Sequence, residues 1–356
     1  MKNFKLINLL LILATSLLLV NCTTDPIPGP DGVDGVDGVD GIDGATGTAE
    51  CAACHNISKS EEVHASFLFS AHSGVPNAGD NSWARGRSAS CAKCHSNQGY
   101  IDYAETGMVD ENGYGQEEDP LTCAGCHNEH RSFDFENDGF DAALRIVDAV
   151  TLFADPDSYV IDYGKDEKRS HTCAQCHQPR DKFENNLLAN GKVDVGSRFG
   201  PHYGAQSTLL EGIQGAELDG YTYAGADKSA AHRAGSSCTQ CHMGESGGNN
   251  VGEHTWIQTE TSCTKCHNDN IPAKDFLKED YETLENLLIA EGLLRIDIDP
   301  DTGDEEIRIN SGEYDLVPAS ALWNYRMLYY DHSHGVHNPE YAKALVKNSI
   351  DALNGN

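Results

Sequence analysis

Basic residues are scarce in this sequence. Its 356 residues include 56 acidic but only 25 basic side chains, which gives a formal net charge of −31 at pH 7. Because nucleic acid is bound through basic patches that neutralise phosphates, nucleic acid is not an expected partner. The acidic balance favours a solvated surface, and electrostatic steering toward a basic partner is the alternative interpretation.

Large apolar side chains are also few. Only 39% of the residues are hydrophobic, and the chain has 3 Trp and 4 Met. The length suffices for one large or two ordinary domains. This composition supplies few apolar side chains for a conventional hydrophobic core, so the side chains alone are not expected to fill the interior.

The apolar run Leu6–Val20 is too short for a typical membrane span. It follows Lys2 and Lys5 and ends in Asn21-Cys22, which is the pattern of an export signal. The last four residues, LVNC, resemble a lipobox, although Asn replaces the usual small residue before the cysteine. We therefore expect removal of residues 1–21 and lipidation of Cys22. The protein is then exported and anchored by lipid to a bacterial membrane, facing the periplasm or the cell surface.

A glycine recurs at every third position from Gly29 to Gly47. Collagen-like chains show this spacing, but the six triplets here contain proline only in the first. We interpret residues 22–48 as a flexible acidic spacer after the lipid anchor. A short trimerising stalk is the alternative.

Twelve of the 13 cysteines belong to six copies of C-x-x-C-H, the attachment motif of haem c. Its two thiols reach the vinyl groups of one porphyrin, and the imidazole of the next residue binds the iron. Zinc knuckles and disulfides also use paired cysteines, but neither explains a histidine after every second cysteine. We number the motifs in chain order: Cys51-Cys54-His55, Cys91-Cys94-His95, Cys123-Cys126-His127, Cys173-Cys176-His177, Cys238-Cys241-His242 and Cys263-Cys266-His267.

Six covalent haems c would supply the missing core, because each porphyrin is a large apolar body. The segments between the motifs are rich in Gly, Asn, Asp and Ser, which leaves little room for sheet. We therefore predict a mainly α, loop-rich, haem-packed multihaem cytochrome c. Residues 49–275 would form the hexahaem domain, and residues 276–356 a segment of long helices packed on it.

The opposite face of each iron needs a second ligand. Only three methionines lie beyond Met1, whereas ten histidines remain outside the motifs. Bis-histidine ligation is therefore expected, with lower potentials than histidine–methionine ligation gives. From their positions we assign six distal ligands: His72, His130, His202, His232, His254 and His337. The other four are expected to be surface or hydrogen-bonded residues: His64, His171, His332 and His334.

Residues Cys91–Asn356 resemble the pentahaem cytochrome c nitrite reductases and the wider superfamily with hydroxylamine oxidoreductase and the octahaem reductases. The resemblance rests on CAQCH at Cys173, on HRAGSSCTQCHM followed by His254 and CTKCH, and on DHSHGVHNPEYAKALV. The opening segment, CAACHNISKSEEVHASFLFSAH, is similar to the first haem segment of the tetrahaem cytochrome c-554 type. In the related reductases the C-terminal part also forms dimers, so the resemblance implies a homo-oligomer as one arrangement.

Two features of the nitrite reductase active site are absent. The catalytic motif of that family usually ends in Lys, whereas CAKCH here ends in His95, and Arg180 replaces the catalytic Tyr. Twelve histidines can occupy both faces of six irons, which leaves no iron open to a substrate. We therefore predict electron transfer between redox partner proteins, with no catalytic residue. The alternative is a haem-based oxidoreductase of a small nitrogen or sulfur compound, with one five-coordinate haem near Arg180 or His95.

Three helices are predicted after the last motif. Apolar residues at spacings of four, three and four predict a helix over 275–295, and further helices are expected over 318–330 and 339–355. Asn338 would cap the last helix before Pro339. The acidic stretch DIDPDTGDEEIRI lacks the glycine and glutamate of a calcium loop. It predicts a hairpin turn around Thr302-Gly303, and no metal other than haem iron is expected.

Overall fold

The computed structural model describes residues 55–77, 82–84, 88–110, 113–114, 117–130, 142–157, 159–164, 169–245, 251–300 and 302–355. All of them belong to one compact unit, Cys54–Asn356. The predicted signal segment, the lipidation site Cys22, the spacer and the motif cysteines Cys51 and Cys54 lie outside the described residues.

Helices dominate the described part of the chain. Nine helices precede residue 270: α1 (Ile57–Leu68), α2 (Ala89–His95), α3 (Asn97–Thr106), α4 (Cys123–Cys126), α5 (Ser170–Ala174), α6 (Gln206–Glu211), α7 (Ala231–Gly235), α8 (Cys238–His242) and α9 (Glu260–His267). Three longer ones follow: α10 (Lys278–Ala290), α11 (Leu316–Asp331) and α12 (Pro339–Leu353). Short 3-10 turns occupy Ala71–Ser73, Val75–Asn77, Ser82–Ala84, Phe183–Asn186 and Glu253–Thr255. No helix in these described ranges is long and apolar enough to cross a membrane.

The described strands form three antiparallel pairs. Strand β1 (Val150–Thr151) pairs with β2 (Val160–Ile161), β3 (Val193–Val195) with β6 (Gly312–Tyr314), and β4 (Leu294–Ile298) with β5 (Glu305–Ile309). The β4–β5 hairpin turns through Gly303 at a φ of 80°, so the predicted acidic hairpin is confirmed. The mainly α, loop-rich fold with very little sheet is also confirmed.

The predicted C-terminal helices are present, but the first, expected over 275–295, is shorter at both ends and begins at Lys278. Helix α10 ends at Ala290 and not at residue 295, because Gly292 adopts a φ of 77° and a strand begins at Leu294. Helix α12 begins at Pro339, and the Asn338 side chain accepts a hydrogen bond from the Tyr341 amide at 3.0 Å. The predicted cap of α12 is therefore confirmed.

The hydrophobic core lies around the three C-terminal helices. Trp323 and Tyr341 are fully buried there, and the Trp323 indole donates a hydrogen bond to the Gln214 carbonyl at 2.9 Å. Residues 55–130 contrast with this region. Among their described positions, the buried apolar side chains are Ala84, Ala92 and Tyr100. The described residues of this part of the chain therefore form almost no side-chain core of their own.

Candidate haem sites

The five motifs whose cysteines are described lie on short helical turns. Helices α2, α8 and α9 each end at a motif histidine, and α4 spans the third pair of cysteines. In the fourth motif the His177 amide donates to the Cys173 carbonyl at 3.0 Å, which closes a turn of the same kind. Residues at i, i+3 and i+4 share one face of a helix. Each turn therefore presents two thiols and one imidazole on one side, as covalent haem attachment requires.

Local hydrogen bonds explain why these short turns form. Helix α8 begins with a capping box, in which the Ser237 side chain accepts from the third-residue amide and the Ser237 amide donates to Gln240 Oε1 at 3.1 Å. At the start of α9, the Thr259 side chain accepts a bond from the Ser262 amide. The ten described motif cysteines form no disulfide with one another.

Each motif histidine lies opposite one of the six histidines assigned above as distal ligands. The separations between ring centres fall in the narrow range of 5.9–6.2 Å. A metal bound to a nitrogen of each ring at about 2 Å, with roughly 1 Å from nitrogen to ring centre, gives about 6 Å. The pairs are His55–His130 (6.1 Å), His72–His177 (6.0 Å), His95–His202 (6.1 Å), His127–His254 (6.2 Å), His232–His267 (5.9 Å) and His242–His337 (6.1 Å).

Six of these twelve imidazoles have Nδ1 against a protein oxygen. An Nδ1–H that donates to oxygen fixes the tautomer and leaves the Nε2 lone pair for a metal. Five of the acceptors are uncharged carbonyl or amide oxygens, and the sixth is a carboxylate. The contacts are His95 to Trp83 O, His127 to Ala142 O (2.8 Å), His177 to Gln206 Oε1 (3.2 Å), His232 to Val336 O (2.7 Å), His242 to Trp256 O (2.8 Å) and His337 to Asp331 Oδ1 (2.5 Å).

Burial favours the uncharged form of several of the paired imidazoles. Desolvation lowers the pKa of His72 to about 4, and desolvation with the nearby charge of Arg180 lowers the pKa of His202 to about 4. Burial also lowers the pKa of His177 and of His254. Because the neutral imidazole is the form that binds metals, the residues fit a ligand role.

The pKa of His337 is shifted in the opposite direction. Burial lowers it, but the charge of the Asp331 carboxylate and the hydrogen bond to it raise the pKa of His337 above its ordinary value. The Nδ1–H of this imidazole is therefore held in a charge-assisted hydrogen bond to the Asp331 carboxylate.

The four surplus histidines lie outside these pairs. His64, His332 and His334 are exposed. His171 is buried, but its Nδ1 contacts the Val147 carbonyl at 2.8 Å and its Nε2 accepts from the Tyr163 amide at 2.9 Å. Both of its nitrogens thus have protein partners, as expected for a hydrogen-bonded core histidine.

The fourth motif lies against the second. Cys94 Sγ is 3.8 Å from the Gln175 carbonyl oxygen, and Cys176 Sγ is 3.7 Å from the Lys93 carbonyl oxygen. These two reciprocal contacts place the attachment turns of the second and fourth motifs side by side.

The fourth motif also lies against the fifth. Ser170, at the start of α5, donates through its hydroxyl to Ser237 Oγ at 2.8 Å and accepts from the Thr239 amide at 3.1 Å. Cys238 Sγ is 3.9 Å from the Ser170 carbonyl oxygen. Helix α8 of the fifth motif in turn contacts α9 of the sixth.

Sequence reasoning did not find the oxygen acceptors that orient the imidazoles. Asp331, Gln206 and the carbonyl of Trp256 lie 6, 29 and 14 residues from the histidines they contact. No spacing rule links such residues, so no local pattern marks them. Arg180 is exposed, and its amide donates to the Pro201 carbonyl at 3.0 Å, next to His202.

Comparison with known proteins gives one family match. The family model described as "Outer membrane cytochrome MtrC/MtrF-like, domains II/IV" matches residues 33–138, less than a third of the chain, and this span holds the first three motifs. With the C-x-x-C-H motifs, the match supports a multihaem c-type cytochrome that transfers electrons. It gives no support to the nitrite reductase and hydroxylamine oxidoreductase superfamily.

One solved structure, titled "Crystal Structure of Outer Cell Wall Cytochrome OcwA", is similar to the chain with a TM-score of 0.48 and 18% sequence identity. The similarity covers 82% of this chain and 50% of that one, so the present chain spans half the length of that structure. Comparison with curated proteins finds no match.

Proposed function

We propose that this chain is an electron-transfer cytochrome with six covalent haems c, each ligated by two histidines. The observation that carries the proposal is the set of six imidazole pairs, whose ring centres lie 5.9–6.2 Å apart. When bound, the haem irons supply reversible one-electron chemistry. In this proposal the partners are those pairs, so that His55 shares an iron with His130 and His242 shares one with His337.

Histidines on both faces of an iron leave no position for a substrate, which favours a carrier over an enzyme. In this chain the second histidine comes from a distant segment, as for His127 and His254. The Nδ1 contacts hold the rings in one orientation, for example that of His232 against the Val336 carbonyl. Fixed ligands of this kind keep the geometry the same in both oxidation states.

The neighbouring attachment turns support a connected set of sites. The fourth motif contacts the second and the fifth, and α8 of the fifth contacts α9 of the sixth. The first and third motifs are linked through His130, which follows the third motif and faces His55 of the first. We propose that electrons exchange along these contacts, with the fourth motif between the second and the fifth.

We also propose an exported, lipid-anchored protein at the cell surface. The lipobox at Cys22 and the matched family, whose description names the outer membrane, support this location. The partners would be other redox proteins, and the charge of −31 favours those with basic docking surfaces. A homo-oligomer and a relation to the nitrite reductase superfamily stay predictions.

Two measurements on the mature protein test the proposal. Mass spectrometry should show six covalent haem increments on the polypeptide. Electron paramagnetic resonance of the oxidised protein should show only low-spin iron, and the reduced protein should not bind carbon monoxide. Fewer than six increments would refute the haem count. One high-spin iron that binds carbon monoxide would instead support the oxidoreductase alternative at that site.

A further inference from the structure

The ligand His337 differs from the other five imidazoles with a described Nδ1 contact. Its Nδ1 lies 2.5 Å from Asp331 Oδ1, and the Asp331 side chain has no exposed surface. The rings of His127, His232 and His242 instead face neutral backbone carbonyls at 2.7–2.8 Å. Among the described Nδ1 contacts, the fifth haem site thus contains a buried carboxylate on the proton side of an axial histidine.

The hydrogen bonds around Asp331 fit an ionised carboxylate. Oδ2 accepts from the Ser333 amide at 3.1 Å and from the Ser333 hydroxyl, while Oδ1 accepts from His337. All three partners donate, and an ionised carboxylate only accepts. The Ser333 hydroxyl oxygen also accepts from the His337 amide at 3.2 Å, which ties the two ends of the loop together.

The local backbone is folded to bring this pair together. Asp331 is the last residue of α11, and the next residues turn through left-handed conformations at His332 (φ 58°) and His334 (φ 55°). Residues with side chains rarely adopt this conformation, which carries a cost of about 1–2 kcal/mol each. The loop therefore maintains strained backbone in order to place Asp331 against His337.

We propose that Asp331 is a positioning residue that sets the potential of the fifth haem through His337 and lowers it below those of the second, third, fourth and sixth haems, whose described Nδ1 acceptors are neutral. This inference rests on the proposed function. A carboxylate that takes the Nδ1–H makes Nε2 a stronger donor to the metal. The buried negative charge also favours Fe(III), which carries one more positive charge than Fe(II), and water does not screen it. Reduction adds one electron to Fe(III), and neither Asp331 nor His337 gains or loses a proton.

The position of this site gives the lowered potential a function. The fifth motif lies between the fourth and the sixth along the contacts described above. A site of lower potential there stays oxidised until the fourth and sixth sites are reduced. Electrons that pass between the fourth and the sixth sites would therefore cross a step of higher energy at the fifth.

The test replaces Asp331 in the complete, haem-loaded protein. Asp331→Asn keeps the size of the side chain and removes its charge. In a potentiometric titration followed by electron paramagnetic resonance, we expect one haem to become at least tenfold easier to reduce. That change is a rise of about 59 mV for one electron, with the other five potentials unchanged. The low-spin signal of the same haem should move toward those of the sites with neutral acceptors.

The control is Asp162→Asn, at an exposed carboxylate. It removes the same charge next to a histidine, since Asp162 Oδ1 lies 3.4 Å from Nε2 of His171, which is not among the paired imidazoles. We expect no haem to shift by as much as tenfold in this variant. An equal shift in both variants, or no shift in Asp331→Asn with all six haems retained, would overturn the inference.

A reciprocal variant keeps the inference testable if Asp331→Asn fails to mature. Gln206 Oε1 lies 3.2 Å from Nδ1 of His177, so Gln206→Glu places a carboxylate against a second ligand. The potential of the fourth haem should then fall, and an unchanged potential would contradict the inference. The haem count and spin state of the unaltered protein are measured first. Failure of the proposed function is therefore seen separately from failure of the role of Asp331.

Discussion

Removal of one distal histidine should leave one coordination position vacant on one haem iron and should leave the other five irons unchanged. In His254→Ala, the imidazole whose ring centre lies 6.2 Å from that of His127 is lost. The described contacts of His254 are that ring and the indole of Trp256 at 5.4 Å, so the substitution leaves a space of one imidazole. Because His254 belongs to one of six pairs, one sixth of the haem should become five-coordinate.

The assay for this variant is a titration of the reduced protein with carbon monoxide. We expect one equivalent to bind per protein, together with a high-spin signal from one iron in the oxidised state. Added imidazole should fill the space and restore the low-spin spectrum. His64→Ala is the control, because His64 is exposed on α1 and faces no motif histidine. Absence of carbon monoxide binding in His254→Ala, or equal binding in both variants, would refute the pairing.

Three further predictions concern the fold and are measured as changes in the free energy of unfolding in guanidinium chloride. Leu284→Ala, at a fully buried position of α10, should destabilise by about 2–5 kcal/mol, whereas Leu316→Ala, at a position 46% exposed, should stay within about 0.5 kcal/mol. Gly212→Ala should cost clearly more than Gly107→Ala: both glycines have a φ of 73°, but a Cβ at Gly212 would meet a backbone oxygen at 2.1 Å and one at Gly107 meets nothing within 4 Å. Asn338→Ala removes the cap of α12 and should cost about 1–2 kcal/mol. Equal effects in the leucine pair or in the glycine pair would contradict the described packing.

The parts of the site that depend on local sequence could be predicted. Two cysteines and a histidine at i, i+3 and i+4 lie on one helical turn in each of the five motifs whose cysteines are described, as in α8. The cap at Asn338 and the hairpin at Gly303 likewise follow from residues next to one another in the chain. The predicted end of α10 was wrong because apolar residues continue at Leu293 and Leu294. These two side chains are buried at the start of strand β4 and not as part of the helix.

The pairing of the histidines could not be predicted. His72 follows the first motif but faces His177 of the fourth, and His337 faces His242 from the far end of the chain. The pairing depends on how distant segments of the chain pack together, and no spacing rule in the sequence specifies that packing. For the same reason the sequence did not predict the role of Asp331, because its contact with His337 depends on a loop that turns back on itself.

The scarcity of buried apolar side chains among the described residues between 55 and 130 has a consequence for biogenesis. With so few buried apolar side chains, that region has no stable folded form before its cofactors are attached. The reason is that the bonds that hold it together have to come from metal coordination between histidines that are distant in sequence. Such a polypeptide should leave the cytoplasm unfolded and remain open to proteases until the haems are attached. Limited haem supply should therefore lower the amount of this protein rather than produce a stable haem-free form.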